Sequence, residues 1–270
     1  MRFPRRTVAD SVRIEGLGLH SGAPVQMTIH PASEGIAFRC GAERVQALPE
    51  NVSETSRCTR LGGISTVEHL MSAFCGLEVT DAEVELSHPE LPGMDGSSRP
   101  FVDRILQTGT CDFAEGEAHD LYRRLFVKER DVSISIGKGP GAWRYEFDLE
   151  HHSLGIQVFE TAEIFDSYVD EVSPARTTVF LEEIPLARQA GLGKGLDESA
   201  VLVIGAGRYE NQPRFSNEPA RHKLLDLMGD LYLSGFPARA LSVVAVRSGH
   251  AGGLGALTHR DGGAERRPHQ

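Results

Sequence analysis

The segment RHKLLDLMGD (221–230) sets His222, Asp226 and Asp230 at four-residue intervals. On a helix this spacing stacks the three side chains along one face, where an imidazole and carboxylates can converge on one cation. The competing reading is a solvated polar stripe beside Arg221 and Lys223. The rest of the segment is apolar, with Leu224, Leu225, Leu227, Met228 and Leu231, so acids placed here need a partner. A second segment, TVEHLM (66–71), puts a carboxylate next to an imidazole inside another apolar run. Successive helical residues point about 100° apart, so Glu68 and His69 do not meet one atom head-on. With His69 as a metal ligand, Glu68 lies to its side, where the general base of a hydrolysis belongs. The plainer alternative is a capping Glu68 and a hydrogen-bonded core His69. His69, His222 and Asp226 together make the three-ligand set of mixed N and O type, with one position left open, that catalytic zinc uses. A third segment, RSGH (247–250), brings His250 just beyond a buried strand, a place from which a histidine can protonate a leaving amine or serve simply as a loop residue.

Elements must hold these groups. Ser65 and Glu68 have capping-box spacing ahead of an apolar helical pattern that Gly76 can stop, which predicts a buried helix over Ser65–Gly76. A second helix is expected over Pro100–Gln107, capped by Ser98 and stopped by Gly109. The runs VQMTIHP, GIAFRC and DAEVELS read as strands in the first part, and LFVKERDVSISIG, AWRYEFDL, GIQVFE, SAVLVIG and ALSVVAV in the second. AEIFDSYVDEV, LEEIPLARQAG and the stretch from Asn217 to Gly235 read as helices. Gly109 to Leu121, acidic and weakly periodic, reads as a connection between domains, with the first domain over 1–115 and the second over 116–270. Strands cluster apart from helices, so the fold class expected is α+β. EHLMSAFCGLEVTDAEVEL and RHKLLDLMGDLYLSGFPARALSVVAV both run helix, loop, strand with an early histidine, which hints at two similar halves.

Composition narrows the function. A chain of 270 residues with 28 Lys and Arg against 38 Asp and Glu carries a formal charge of −10, so its surface as a whole repels nucleic acid and anionic membranes. Cys40, Cys58, Cys75 and Cys111 form no CxxC pair, MRFPRRTVADSVR leads into no apolar leader, and Ala240–Val246 is too short to cross a bilayer. A cytoplasmic protein with no stable membrane insertion is expected. No dinucleotide fingerprint, Walker loop or GxSxG elbow is present.

Six motifs in order, GLGLHSG, ISTVEHLMSAF, PELPGMDGSSRPFV, SPARTTVF, RHKLLDLMGDL and RSGH, resemble the zinc-dependent UDP-3-O-acyl-N-acetylglucosamine deacetylases of lipid A biosynthesis. The resemblance runs from about residue 6 to 255. It implies two α+β domains of similar topology, with helices packed between two sheets and the site at their junction. It makes His69, His222 and Asp226 the ligands of one Zn2+ per chain and Glu68 the base. Thr177 takes the place of the threonine that stabilises the oxyanion, His250 that of the assisting acid, Asp230 that of its orienting aspartate, and Lys223 that of a site lysine. Arg247 stands where the family often has a lysine near the diphosphate, and Lys194 in GLGKGLDESA and Thr178 join it as substrate-binding positions. The implied partner is a UDP-sugar with an acyl chain, handled by a monomer, with acetate and a UDP-glucosamine that keeps its 3-O-acyl chain as products.

Departures from the family pattern keep two other readings open. Thr178 stands where phenylalanine usually follows ART, the glycine loop is one residue short, Arg57 replaces a common hydrophobic residue, and the segment between Cys58 and Ile64 is trimmed. A deacetylase of another UDP-amino sugar would fit these changes. A catalytically silent sugar-nucleotide-binding relative would have no need to keep Glu68.

Overall fold

The structure, a computed structural model, describes residues 2–117 and 124–247. Strand β1 (Arg2–Val8) leads into two hairpins, β2 (Val12–Leu17) with β3 (Pro24–Pro31) and β4 (Ile36–Cys40) with β5 (Glu43–Gln46). A short ribbon of β6 (Val52–Glu54) and β7 (Arg60–Leu61) precedes helix α1 (Glu68–Leu77), then come β8 (Ala82–Leu86), α2 (Arg99–Thr108) and β9 (Thr110–Glu117). The second half repeats the plan. Hairpins β10 (Leu125–Glu129) with β11 (Val132–Lys138) and β12 (Trp143–Leu149) with β13 (Gly155–Thr161) are followed by α3 (Ile164–Ser167), which runs on into a π turn over Tyr168–Val172. Next come β14 (Thr178–Phe180), α4 (Ile184–Gln189), β15 (Leu202–Ile204), the long α5 (Glu218–Tyr232) and β16 (Leu241–Val246).

Each half builds a five-stranded sheet of one design. The orders are β2-β3-β8-β4-β5 and β10-β11-β16-β12-β13. In both, the strand that follows the long helix enters the middle, antiparallel to the first hairpin and parallel to the second. A parallel neighbour needs a crossover, and the helices α1 and α5 lie on those crossovers. Register carries the repeat down to single residues: Val12, Ile29, Val84, Phe38 and Val45 face one another across the first sheet, and Val127, Ile134, Ala245, Tyr145 and Phe159 across the second. These rows are apolar because they face the helices, whereas alternate residues meet water. α1 packs along α5, α2 lies on β2, and α5 lies on β12 and β13, so one continuous apolar core runs through both halves. The protein is two similar α+β halves with helices between two sheets.

Three local expectations need correction. Ser65 and Glu68 form no capping box: the Ser65 hydroxyl donates to Pro89 O, and Glu68 turns instead to the Thr59 amide. Gly76 does not stop α1, whose C-cap is Glu78 in the left-handed region at φ 57°. Gly76 is needed inside the helix, because a Cβ there would overlap the ring of Tyr168. The stretch expected as a connection is largely β9, paired antiparallel with β1. Its apolar periodicity is weak because charge pairs hold the ribbon, including Arg6 with Asp112 at 2.7 Å and Arg2 with Glu117 at 3.3 Å.

Candidate active site

The two central helices bring the chemistry together. His69 projects from the first turn of α1, and His222 and Asp226 lie one turn apart on α5, which fixes them on one face. The helices approach closely because residue 229 is glycine. A Cβ there would overlap the Glu68 carbonyl oxygen, so any larger residue would push α5 off the start of α1. Ser98, at the head of α2, donates to the carbonyl oxygen of His69 at 2.7 Å and steadies that turn. At the other end, Glu218 at the start of α5 is fully buried, accepts from the amide and guanidinium of Arg176, and accepts from the Arg214 amide. That clamp sets Ala175 and Thr177, the neighbours of Arg176, against the helix.

His69, His222 and Asp226 are buried, and their ligand atoms all lie within 4.8 Å of one another. Asp226 Oδ1 is 3.5 Å from His69 Nε2 and 3.4 Å from His222 Nε2, and the two rings meet edge to face at 5.1 Å. His222 Nδ1 lies 3.0 Å from the carbonyl oxygen of Ala175. A carbonyl only accepts, so Nδ1 carries the proton and Nε2 offers its lone pair to the cluster, the usual arrangement of a ligating histidine. Burial pushes the His222 imidazole down to about 4 against the pull of Asp226, which keeps it neutral as a ligand must be. Burial also pushes the Cys58 thiol up to about 12. Two imidazoles and a carboxylate fit a divalent ion of borderline softness.

Around the cluster opens a cavity of about 660 Å³. Glu68, 5% exposed, lines it beside His69. Thr177, Thr178 and Lys223 also line it. Lys223 Nζ donates to Asp226 Oδ2 at 3.0 Å; burial pulls its ammonium down, but Asp226, Tyr145 and Glu68 together more than offset this and its pKa is raised. Asp230, 1% exposed, sits one turn further along α5 and accepts from the Thr59 hydroxyl. The cavity continues between β14, α4, β15 and the glycine loop, with apolar walls that include Val179, Ile184, Leu192 and Val203.

A family model described as UDP-3-O-acyl N-acetylglycosamine deacetylase matches residues 5–257. The chain belongs to this family. Among curated members, the UDP-3-O-acyl-N-acetylglucosamine deacetylase of Xanthomonas oryzae pv. oryzae is 36% identical over 92% of this chain and 86% of its own length. Those of Cellvibrio japonicus and Nostoc sp. are 35% and 33% identical, over 92% and 87% of this chain and 86% and 91% of their own lengths.

Not every position that the family resemblance nominates reaches the cavity. Lys194 is exposed and is not part of the cavity lining; its amide instead docks on His20 O at 3.3 Å, joining the glycine loop to the loop of the first half. Arg247, at φ 53° past β16, pairs with Asp131 at 2.6 Å and with the buried carboxylate of Asp148, away from the lining. His250 lies outside the described residues. Two further residues lacked a local signal of their own. His20, in GLGLHSG, lines the cavity, and its imidazole is shifted down, chiefly by burial. Glu90, in PELPGMDG, accepts from the His20 and Ser21 amides at 2.6 and 3.0 Å and so shapes that loop. Among the described residues no helix is long and apolar enough to cross a membrane.

Proposed function

We propose that this chain hydrolyses the acetamide of UDP-3-O-acyl-N-acetylglucosamine, releasing acetate and a UDP-glucosamine that keeps its 3-O-acyl chain, in lipid A biosynthesis. The observation that carries the reading is the junction of two unlike surfaces in one cavity: a buried His69, His222 and Asp226 cluster flanked by Glu68, and an apolar passage leading away from it. The family membership supports the same reading.

His69, His222 and Asp226 would hold one Zn2+. When bound there, zinc supplies Lewis acidity that polarises an amide carbonyl and acidifies water. Glu68 accepts a proton from the attacking water and is aimed at it by the Thr59 amide, which holds Oε2 at 2.9 Å. Thr177 presents its hydroxyl to the oxygen on which charge develops. Lys223, already paired with Asp226, places positive charge on the same wall. His250 delivers a proton to the departing amine, with Asp230 orienting it. Thr178 lines the cavity that continues into the acyl passage, whose apolar walls exclude water from the chain. The chain works in the cytoplasm as a monomer, with halves divided near residue 115 acting as domains: the first brings Glu68 and His69, the second the remaining ligands.

Acetate release from UDP-N-acetylglucosamine with and without a 3-O-acyl chain tests the proposal. We expect zinc-dependent release with a strong preference for the acylated sugar. Equal kcat/KM for the two would leave a deacetylase of another UDP-amino sugar, and no release from either would remove the enzyme reading.

A further inference from the structure

Thr59 occupies an unusual place. It lies immediately before β7, is 1% exposed, and reaches both central helices at once. Its amide donates to Glu68 Oε2 at 2.9 Å and its hydroxyl donates to Asp230 Oδ1 at 2.5 Å. Its carbonyl accepts from the Val67 amide at 3.3 Å, just before α1 begins. A glutamate at the first position of a helix can fold back toward that helix's own free amides or turn to solvent. In Glu68 one carboxylate oxygen is taken by the Thr59 amide, nine residues earlier in the chain.

We infer that Thr59 is a positioning residue for the base: its hydroxyl anchors it to α5 through Asp230, and so anchored, its amide fixes the Glu68 carboxylate toward the cavity. The inference rests on the reading of Glu68 as the base. The side chain is the anchor and the main chain is the guide, which makes the two functions separable by substitution. Valine keeps the β-branched shape and removes only the hydroxyl, so residue 59 stays packed but loses its tie to α5. Serine keeps the hydroxyl and loses a methyl. A base held loosely is misdirected in a fraction of encounters, and a misplacement near 1 Å costs about 10²-fold in rate. The lost donor also faces Asp230, so a loss carried through His250 rather than Glu68 would persist in a Glu68→Gln background.

The test compares Thr59→Val and Thr59→Ser in the parent and in a Glu68→Gln background, with metal content measured in every sample. We expect Thr59→Val to lower kcat by about 10- to 100-fold with KM and metal stoichiometry unchanged, and Thr59→Ser to stay near the parent. In the Glu68→Gln background, where no base remains to aim, Thr59→Val should cost almost nothing further. A second arm needs no activity: in the metal-free protein, unfolding of Thr59→Val, Asp230→Asn and the double variant should be non-additive, because the two residues share a hydrogen bond. Independent losses of kcat from Thr59→Val and Glu68→Gln, or additive unfolding effects, would overturn the inference, as would a Thr59→Ser variant as slow as Thr59→Val. Failure of the base reading itself looks different, since Glu68→Gln alone would then turn over at the parent rate, and the inference would fall with it.

Discussion

The donor set is asymmetric in how it is held, and that asymmetry governs what a substitution does. His222 is fixed from behind by Ala175 O and kept neutral by burial, so its Nε2 is ready without any change of protonation. Asp226 accepts from Lys223 on its other oxygen. Replacing His222 by alanine therefore removes a prepared ligand, and metal analysis of purified His222→Ala should find well under stoichiometric zinc; full zinc with parent activity would refute the ligand assignment. At this scale the sequence was informative where spacing carries geometry. Four-residue intervals in RHKLLDLMGD and the adjacent pair in TVEHLM specified which side chains share a helix face. It was silent where a role depends on residues far away in the chain. Nothing near Thr59 announces that it meets Asp230, 171 positions later, and nothing in Arg247 announces that Asp131 and Asp148 hold it away from the cavity lining.

Elements position these groups through two contacts that tolerate little change. The first is the crossing of α1 and α5 at Gly229, where an added methyl would meet backbone rather than a movable side chain. Overpacking of this kind costs about 1–3 kcal/mol. Gly229→Ala should lower stability by that amount in urea unfolding and weaken metal binding, because the helices that carry His69 and His222 are forced apart. The second contact is the buried pair of Arg176 and Glu218, with side chains 6% and 0% exposed. Removing one partner leaves a charge in the interior, so Glu218→Ala should destabilise by about 3–5 kcal/mol, whereas an Arg176→Met, Glu218→Leu double variant should recover much of the loss. If the double variant is as unstable as the single one, the pair is held for its hydrogen bonds to Ser199 O and Gln212 O rather than for its charge balance. Strand and helix identities followed from periodicity, but their ends did not. Glu68 and Ser65 have partners outside α1, so a pattern that reads as a local cap is spent on tertiary contacts.

At the scale of the whole molecule, the faint echo between the two helix-loop-strand segments was a true sign of architecture: each half inserts the strand after its helix into the centre of its sheet. The charged ribbon of β1 and β9 was not legible, because its backbone ladder and charge pairs join the two ends of the first half. What distinguishes the halves is their elaboration. The second half alone among the described residues carries β14, α4 and β15 as a separate small layer, and this layer makes the apolar passage. On the proposed function, specificity and chemistry fall to different parts of the molecule, and they should be separable. Val179 on β14 lines the passage, so Val179→Trp should fill it while leaving the His69, His222 and Asp226 cluster untouched. Each methylene buried contributes about 0.8 kcal/mol, so a chain denied room for four methylenes loses about 3 kcal/mol, or somewhat more than 100-fold in kcat/KM. That loss should fall on the 3-O-acylated substrate alone, with slow turnover of unacylated UDP-N-acetylglucosamine and zinc content left at the parent level. Equal losses on both substrates would mean that β14 shapes the catalytic wall through Thr177 and Thr178 rather than the acyl passage, and the separation of the two tasks would not hold.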